Sequence, residues 1–147
     1  MLIQHLQDFR WEDTPVTSYK EEPGTHYQNV TRQVLFDGAF PDLPVQLRYF
    51  EIKAGGYSTL EKHRHAHLVV IFRGKGKALE GGRIYPVKEK DVIAIGPDTF
   101  HQFRATEGTP LGFLCLVNED RDRPALPSEE EWDKLLENPQ VAEFIRR

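Results

Sequence analysis

Between Val45 and Asn118 the chain is written in short runs of Val, Ile, Leu, Phe and Tyr, broken every several residues by Gly, Asp or Pro. Runs this short cannot make the long apolar stripe of a helical bundle, and their spacing is that of an antiparallel sandwich or barrel. The expected strands are Val45 to Ile52, Tyr57 to His63, His67 to Arg73, Lys75 to Glu80, Arg83 to Val87, Asp91 to Ile95, Gln102 to Ala105 and Leu111 to Val117. That is a jelly-roll number of strands. Gly81-Gly82 lies between two of them and supplies the positive φ that a tight hairpin turn demands.

The flanks read differently. Residues 1–44 are polar and aromatic, punctuated by Pro15, Pro23-Gly24, Asp37-Gly38, Pro41 and Pro44, and suit an arm with short strands such as Thr31 to Phe36. Residues 119–147 begin as a charged, Pro-bounded linker and turn helical. Ser128 and Glu131 have the spacing of a capping box, followed by Trp132, Leu135 and Leu136 on one face. A second short helix is expected with Pro139 in its first turn and Val141, Phe144 and Ile145 inward. The tail packs on the barrel or on a partner subunit, and the whole 147-residue chain is one domain.

Composition removes several partner classes. Nineteen Lys and Arg stand against 23 Asp and Glu, a formal charge of -4 without single-sign blocks, so nucleic acid and anionic membranes are not expected. No leader pattern opens the chain, and no segment approaches the ~20 apolar residues of a membrane helix. The single cysteine, Cys115, has no internal disulfide partner and lies in an apolar run, as a small buried thiol would. A soluble, cytoplasmic protein is the expectation.

Chemistry concentrates in the histidines. His63, His65 and His67 alternate, and an uninterrupted strand would present all three rings on one side. Imidazoles converging from neighbouring strands, with His101 as a further member, form a usual site for Zn, Mn, Fe, Ni or Cu. A solvated His patch is the competing reading. Phe103 shares strand parity with His101, and Phe103 and Phe113 are candidates to line a pocket, as are Tyr57 and Gln102 beside the ligands. Arg121 and Arg123, in the linker, read as solvated charges, and Ser58 and Thr59 as surface strand residues.

The spacing Gly55, Glu61, His63, His67, Gly74 resembles the first motif of the cupin superfamily, G-x5-H-x-H-x3-4-E-x6-G, with Glu61 in place of the first His and His67 in place of the Glu. The segment from Lys90 through Gly96, Pro97 and His101 resembles the second motif and keeps its closing His, while Lys90 and Ala105 replace a Gly and an Asn. The resemblance spans Val45 to Asn118. It implies an all-β, cupin-like double-stranded β-helix (jelly-roll) barrel with a short C-terminal helical tail, holding one divalent transition metal. Two ligand sets are open: Glu61, His63, His67 and His101, with His65 in a turn, or His63, His65, His67 and His101, with Glu61 orienting a ring. The first follows the family spacing without a gap.

A cation with protein ligands on one side only keeps positions for a small chelating molecule. The resemblance therefore implies a metal-dependent enzyme of dioxygenase or isomerase type, with a non-catalytic ligand-binding or sensing domain as the alternative. A metal-independent sugar-modifying enzyme is a third class. Fold does not choose among them. A homodimer is expected, because open sandwiches commonly pair or cover their edge strands.

Overall fold

The structure is a computed structural model that describes residues 1–20 and 26–147; the Pro23-Gly24 turn signal lies outside the described residues. Eight strands form one sheet: β1 (Thr17–Ser18), β2 (Gln28–Asp37), β3 (Val45–Tyr57), β4 (His67–Glu80), β5 (Arg83–Lys88), β6 (Val92–Ile95), β7 (His101–Ala105) and β8 (Leu111–Asn118). Antiparallel pairing runs from β3 to β7, β7 to β4, β4 to β8 and β8 back to β3, so the sheet closes on itself as a barrel. Alternation sets its two faces. On β4, His67, Val69 and Ile71 are buried inward while Leu68 and Phe72 face outward, and on β8, Phe113, Cys115 and Val117 do the inward packing.

Three elements differ from the sequence reading. His67 to Arg73 and Lys75 to Glu80 are not two strands but one, β4: its pairing with β8 shifts register between Ile71 and Arg73, and Gly74, at φ +69, carries the chain on without ending the strand. Tyr57 to His63 is not a strand. Tyr57 closes β3, and the following residues run extended beside β7 with isolated contacts, Ser58 N–H to the Phe103 carbonyl and a Glu61 bridge to His101. The arm supplies more than short strands, since β2 is ten residues long and pairs with β3 from Val30 to Asp37. The Gly81-Gly82 hairpin forms between β4 and β5 as expected, with Glu80 opposite Arg83.

The tail packs on the barrel. Helix α1 (Glu129–Leu136) starts at the Ser128–Glu131 capping box, and α2 (Pro139–Phe144) has Asn138 as its N-cap. Val141, Phe144 and Ile145 join Leu60 and Leu79 in a second apolar core, with Trp132 and Leu135 partly buried against it. Leu136 stays outside, 41% exposed. Burying each such side chain is worth about 1.5–3 kcal/mol, enough to dock helices too short to be stable alone. The seam is polar and well made: Gln102, fully buried, donates through Nε2 to the Ser58 and Arg146 carbonyls and accepts the Arg146 N–H on Oε1. No helix among the described residues is long and apolar enough to cross a membrane.

Candidate functional site

The chain bends at Arg64 and His65 between the extended segment and β4, and this bend gathers what an unbroken strand was expected to align. The ring centroids of His63 and His65 lie 4.6 Å apart, those of His63 and His67 4.5 Å, and those of His65 and His67 4.8 Å. His101, entering from the start of β7, sits 5.2 Å from His63 and 5.1 Å from His67. Ligating atoms of His63, His67 and His101 fall within 4.8 Å of one another, and so do those of His63, His65 and Asp122.

Hydrogen bonds fix the rings from behind. His101 Nδ1 donates to the Thr99 carbonyl at 2.9 Å, and His65 Nδ1 meets the Asp122 carboxylate at 2.6 Å. In both rings the second nitrogen keeps its lone pair, the tautomer required for ligating a cation. Both nitrogens of His63 and Nε2 of His67 are buried without a hydrogen-bond partner. Buried polar atoms are normally satisfied, and a group of orphaned imidazole nitrogens facing one another is what a metal site leaves when only protein is counted. Burial, then the neighbouring His101 and His63, pushes His67 down to about 2. Burial also pushes His65 and His101 below the ordinary histidine value. Those three rings are thereby held as neutral donors, and with the orphaned nitrogens of His63 beside them the residues fit a divalent cation.

Glu61 has other partners. Its Oε2 lies 2.6 Å from Lys20 Nζ, the Tyr19 hydroxyl reaches Oε1 at 3.4 Å, and His63 Nε2 stands 3.4 Å from Oε1, close enough to feel its charge but without hydrogen-bond geometry. Burial works to raise its carboxyl, but His63 and the Lys20 ammonium overcome that and hold it at about 2.

These groups open into a cavity of about 740 Å³ inside the barrel. Phe103 and Phe113 stack at 4.6 Å and, with Phe50 and Val69, give it an apolar wall. Tyr57 and Gln102 do not line it. Tyr57 pairs with Arg104 at the end of β3, and Gln102 points away because its neighbours His101 and Phe103 point in.

The Cupin domain family model matches residues 48–117. A protein of Rhodospirillum rubrum named 1-methylthio-D-xylulose 5-phosphate methylsulfurylase is 44% identical over 137 residues, which cover 93% of this chain and 86% of that protein. The chain belongs to the cupin superfamily. A cupin 2 conserved barrel domain protein from Rhodopseudomonas palustris superposes on this cupin with TM-score 0.92, at 45% identity over 100% of both chains. A cupin-2 domain crystal structure from Rhodospirillum rubrum gives TM-score 0.86 at 44% identity, covering 95% of this chain and 93% of that one.

Several residues of this cupin's cavity escaped the sequence reading. Arg121 is not a solvated linker charge: it is half-buried, lines the cavity, and donates to Gln46 Oε1 at 2.7 Å and to the Asn118 and Glu119 carbonyls. Asp122, beside it, serves His65. Ser58 and Thr59 are buried rather than exposed, and Ser58 Oγ accepts the Phe103 N–H. Arg32 and Arg48 line the cavity from β2 and β3. A signal for Arg48 was available, since it shares strand parity with Phe50 and Ile52, which both face the core. For Asp122 there was none, because only the folded linker brings it to His65.

Proposed function

We propose that this cupin is a metal-dependent enzyme acting around the carbonyl group of a small phosphorylated ketose. The observation that carries the reading is the group of orphaned, buried ring nitrogens on His63 and His67, beside His101, inside an accessible cavity. A divalent transition metal held there would polarise ligand oxygens as a Lewis acid. His63, His67 and His101 are the ligands in this reading, with His65 as the fourth because its Nδ1–H donates to Asp122 and leaves Nε2 with a free lone pair. Glu61, already paired with Lys20, is then an acceptor beside His63 rather than a ligand.

Phe50, Phe103 and Phe113 exclude water from one side of a bound molecule. The R. rubrum relative's name, a methylsulfurylase of a ketose 5-phosphate, supports the substrate class. A ketose offers carbonyl and hydroxyl oxygens on adjacent carbons, the chelating pair that an imidazole-bound cation with open positions accepts.

Elemental analysis of untagged protein tests the metal. About one equivalent should be present and vanish in His63→Ala/His101→Ala. Nuclear magnetic resonance of 1-methylthio-D-xylulose 5-phosphate in D2O tests the chemistry: the parent should change the S-methyl signal or exchange protons on carbons flanking the carbonyl, and the variant should do neither. No metal after reconstitution would sink the metal centre. Metal without either change would make this a ligand-binding domain.

A further inference from the structure

One wall of the cavity carries charge that the histidine site does not use. Arg32, Arg48 and Arg121 line it from β2, β3 and the linker after β8, and none of the three has a carboxylate within ion-pair distance among the described residues. Nε of Arg32 and Nε of Arg48 are buried without a hydrogen-bond partner. Arg48 is held in place by its stack on Phe50, 5.1 Å to the ring, and by a contact of 3.3 Å to Cys115 Sγ, a weak acceptor. Arg121 is held by its three bonds to Gln46 and the linker backbone.

The cavity's acids do not balance this wall. Glu61 is occupied by Lys20, and Asp122 by His65 and the Arg64 N–H, which leaves Glu119 against Arg32, Arg48, Arg121 and Arg123. Half-buried guanidiniums without a carboxylate partner, two of them with a buried Nε that lacks an acceptor, are the donor set of an anion site. Their planar forks match phosphate oxygens better than any point charge does. The wall also lies close to the rings, since Cys115 Sγ touches both Arg48 and His67 Nδ1, the latter at 3.5 Å.

We infer that Arg32, Arg48 and Arg121 form a phosphate-monoester subsite that anchors the far end of the substrate while its carbonyl end lies at the histidines. The inference rests on the ketose-phosphate reading above. It adds which residues take the phosphate and makes phosphate binding independent of the metal.

The test titrates inorganic phosphate into the full-length His63→Ala/His67→Ala variant by calorimetry, so that no metal contributes. Binding should persist there, weaken at least 10-fold when Arg32→Gln or Arg48→Gln is added, and stay unchanged with Arg83→Gln on the exposed hairpin. Arg48→Lys, which keeps charge and loses the fork, should fall between. If Arg48→Gln fails to fold, Arg121→Gln carries the same expectation. In the parent, D-xylulose 5-phosphate should bind more tightly than D-xylulose, and the Arg variants should erase that preference with metal content unchanged. Absent phosphate binding, or binding equal in the Arg variants, overturns the subsite whether or not turnover is seen. Loss of turnover with phosphate binding intact would overturn only the proposed reaction.

Discussion

Asp122 hydrogen-bonds the ring of His65, and its carboxylate decides which nitrogen of that ring carries a proton. Asp122→Asn keeps the shape and removes the charge. Metal affinity should fall about 10–100-fold, read by competition with a chromophoric chelator, and unchanged affinity would mean that His65 is no ligand. Acid should unfold the metal-free protein early, for a reason that also sits in single residues. His65, His67 and His101 have folded-state values below the ordinary 6.5, so the unfolded chain takes up protons first as pH falls. Stability is then lost from about pH 6.5 downward, and Glu61, at about 2 against an ordinary 4.5, extends the loss at lower pH. Denaturant midpoints should drop between pH 7 and pH 5, less steeply in His67→Asn; equal midpoints would contradict the neutral rings.

At the scale of elements, β7 carries the tail on one face and the cavity on the other. Replacing Gln102 by Ala leaves the Ser58 and Arg146 carbonyls and the Arg146 N–H without their partner. The expected cost is about 1–3 kcal/mol by chemical denaturation, with faster proteolysis after α1. Gly74→Ala should be at least as costly, because φ +69 strains any side chain by about 1–2 kcal/mol and a Cβ there would stand 2.0 Å from the Pro110 carbonyl oxygen. The capping box, the Gly81-Gly82 hairpin and the inward face of α2 were legible because each is a local rule with local spacing. The merger of two expected strands into β4 was not legible, since a glycine between apolar runs marks a turn or a bend equally well. Nor was the end of β3 at Tyr57, which depends on where β7 arrives.

For the whole molecule, the barrel was readable from the punctuated apolar runs and the histidine frame, and TM-score 0.92 to a solved cupin agrees. The candidate site was half readable. Its histidines announce themselves by spacing, whereas the arginine wall and Asp122 come from β2, β3 and the linker and meet only when the sheet closes. A metal that binds only the closed barrel should stabilise it by mass action, by about 2.7 kcal/mol at 100 times Kd. The thermal midpoint should rise by several degrees with metal, return with chelator, and not respond in His63→Ala/His67→Ala; a metal-insensitive parent would refute the coupling.

The division of labour along β7 also makes the reading frame of one short strand unusually consequential. His101, Phe103 and Ala105 serve the interior, and Gln102 and Arg104 hold the C-terminal segment, Arg104 through its bond to the Phe144 carbonyl. One residue inserted ahead of His101 would exchange the two sets, taking the imidazole to the tail and an amide and a guanidinium into the cavity. Drift at this strand can therefore proceed by substitution but hardly by length, because a single slip would erase two unrelated functions at once.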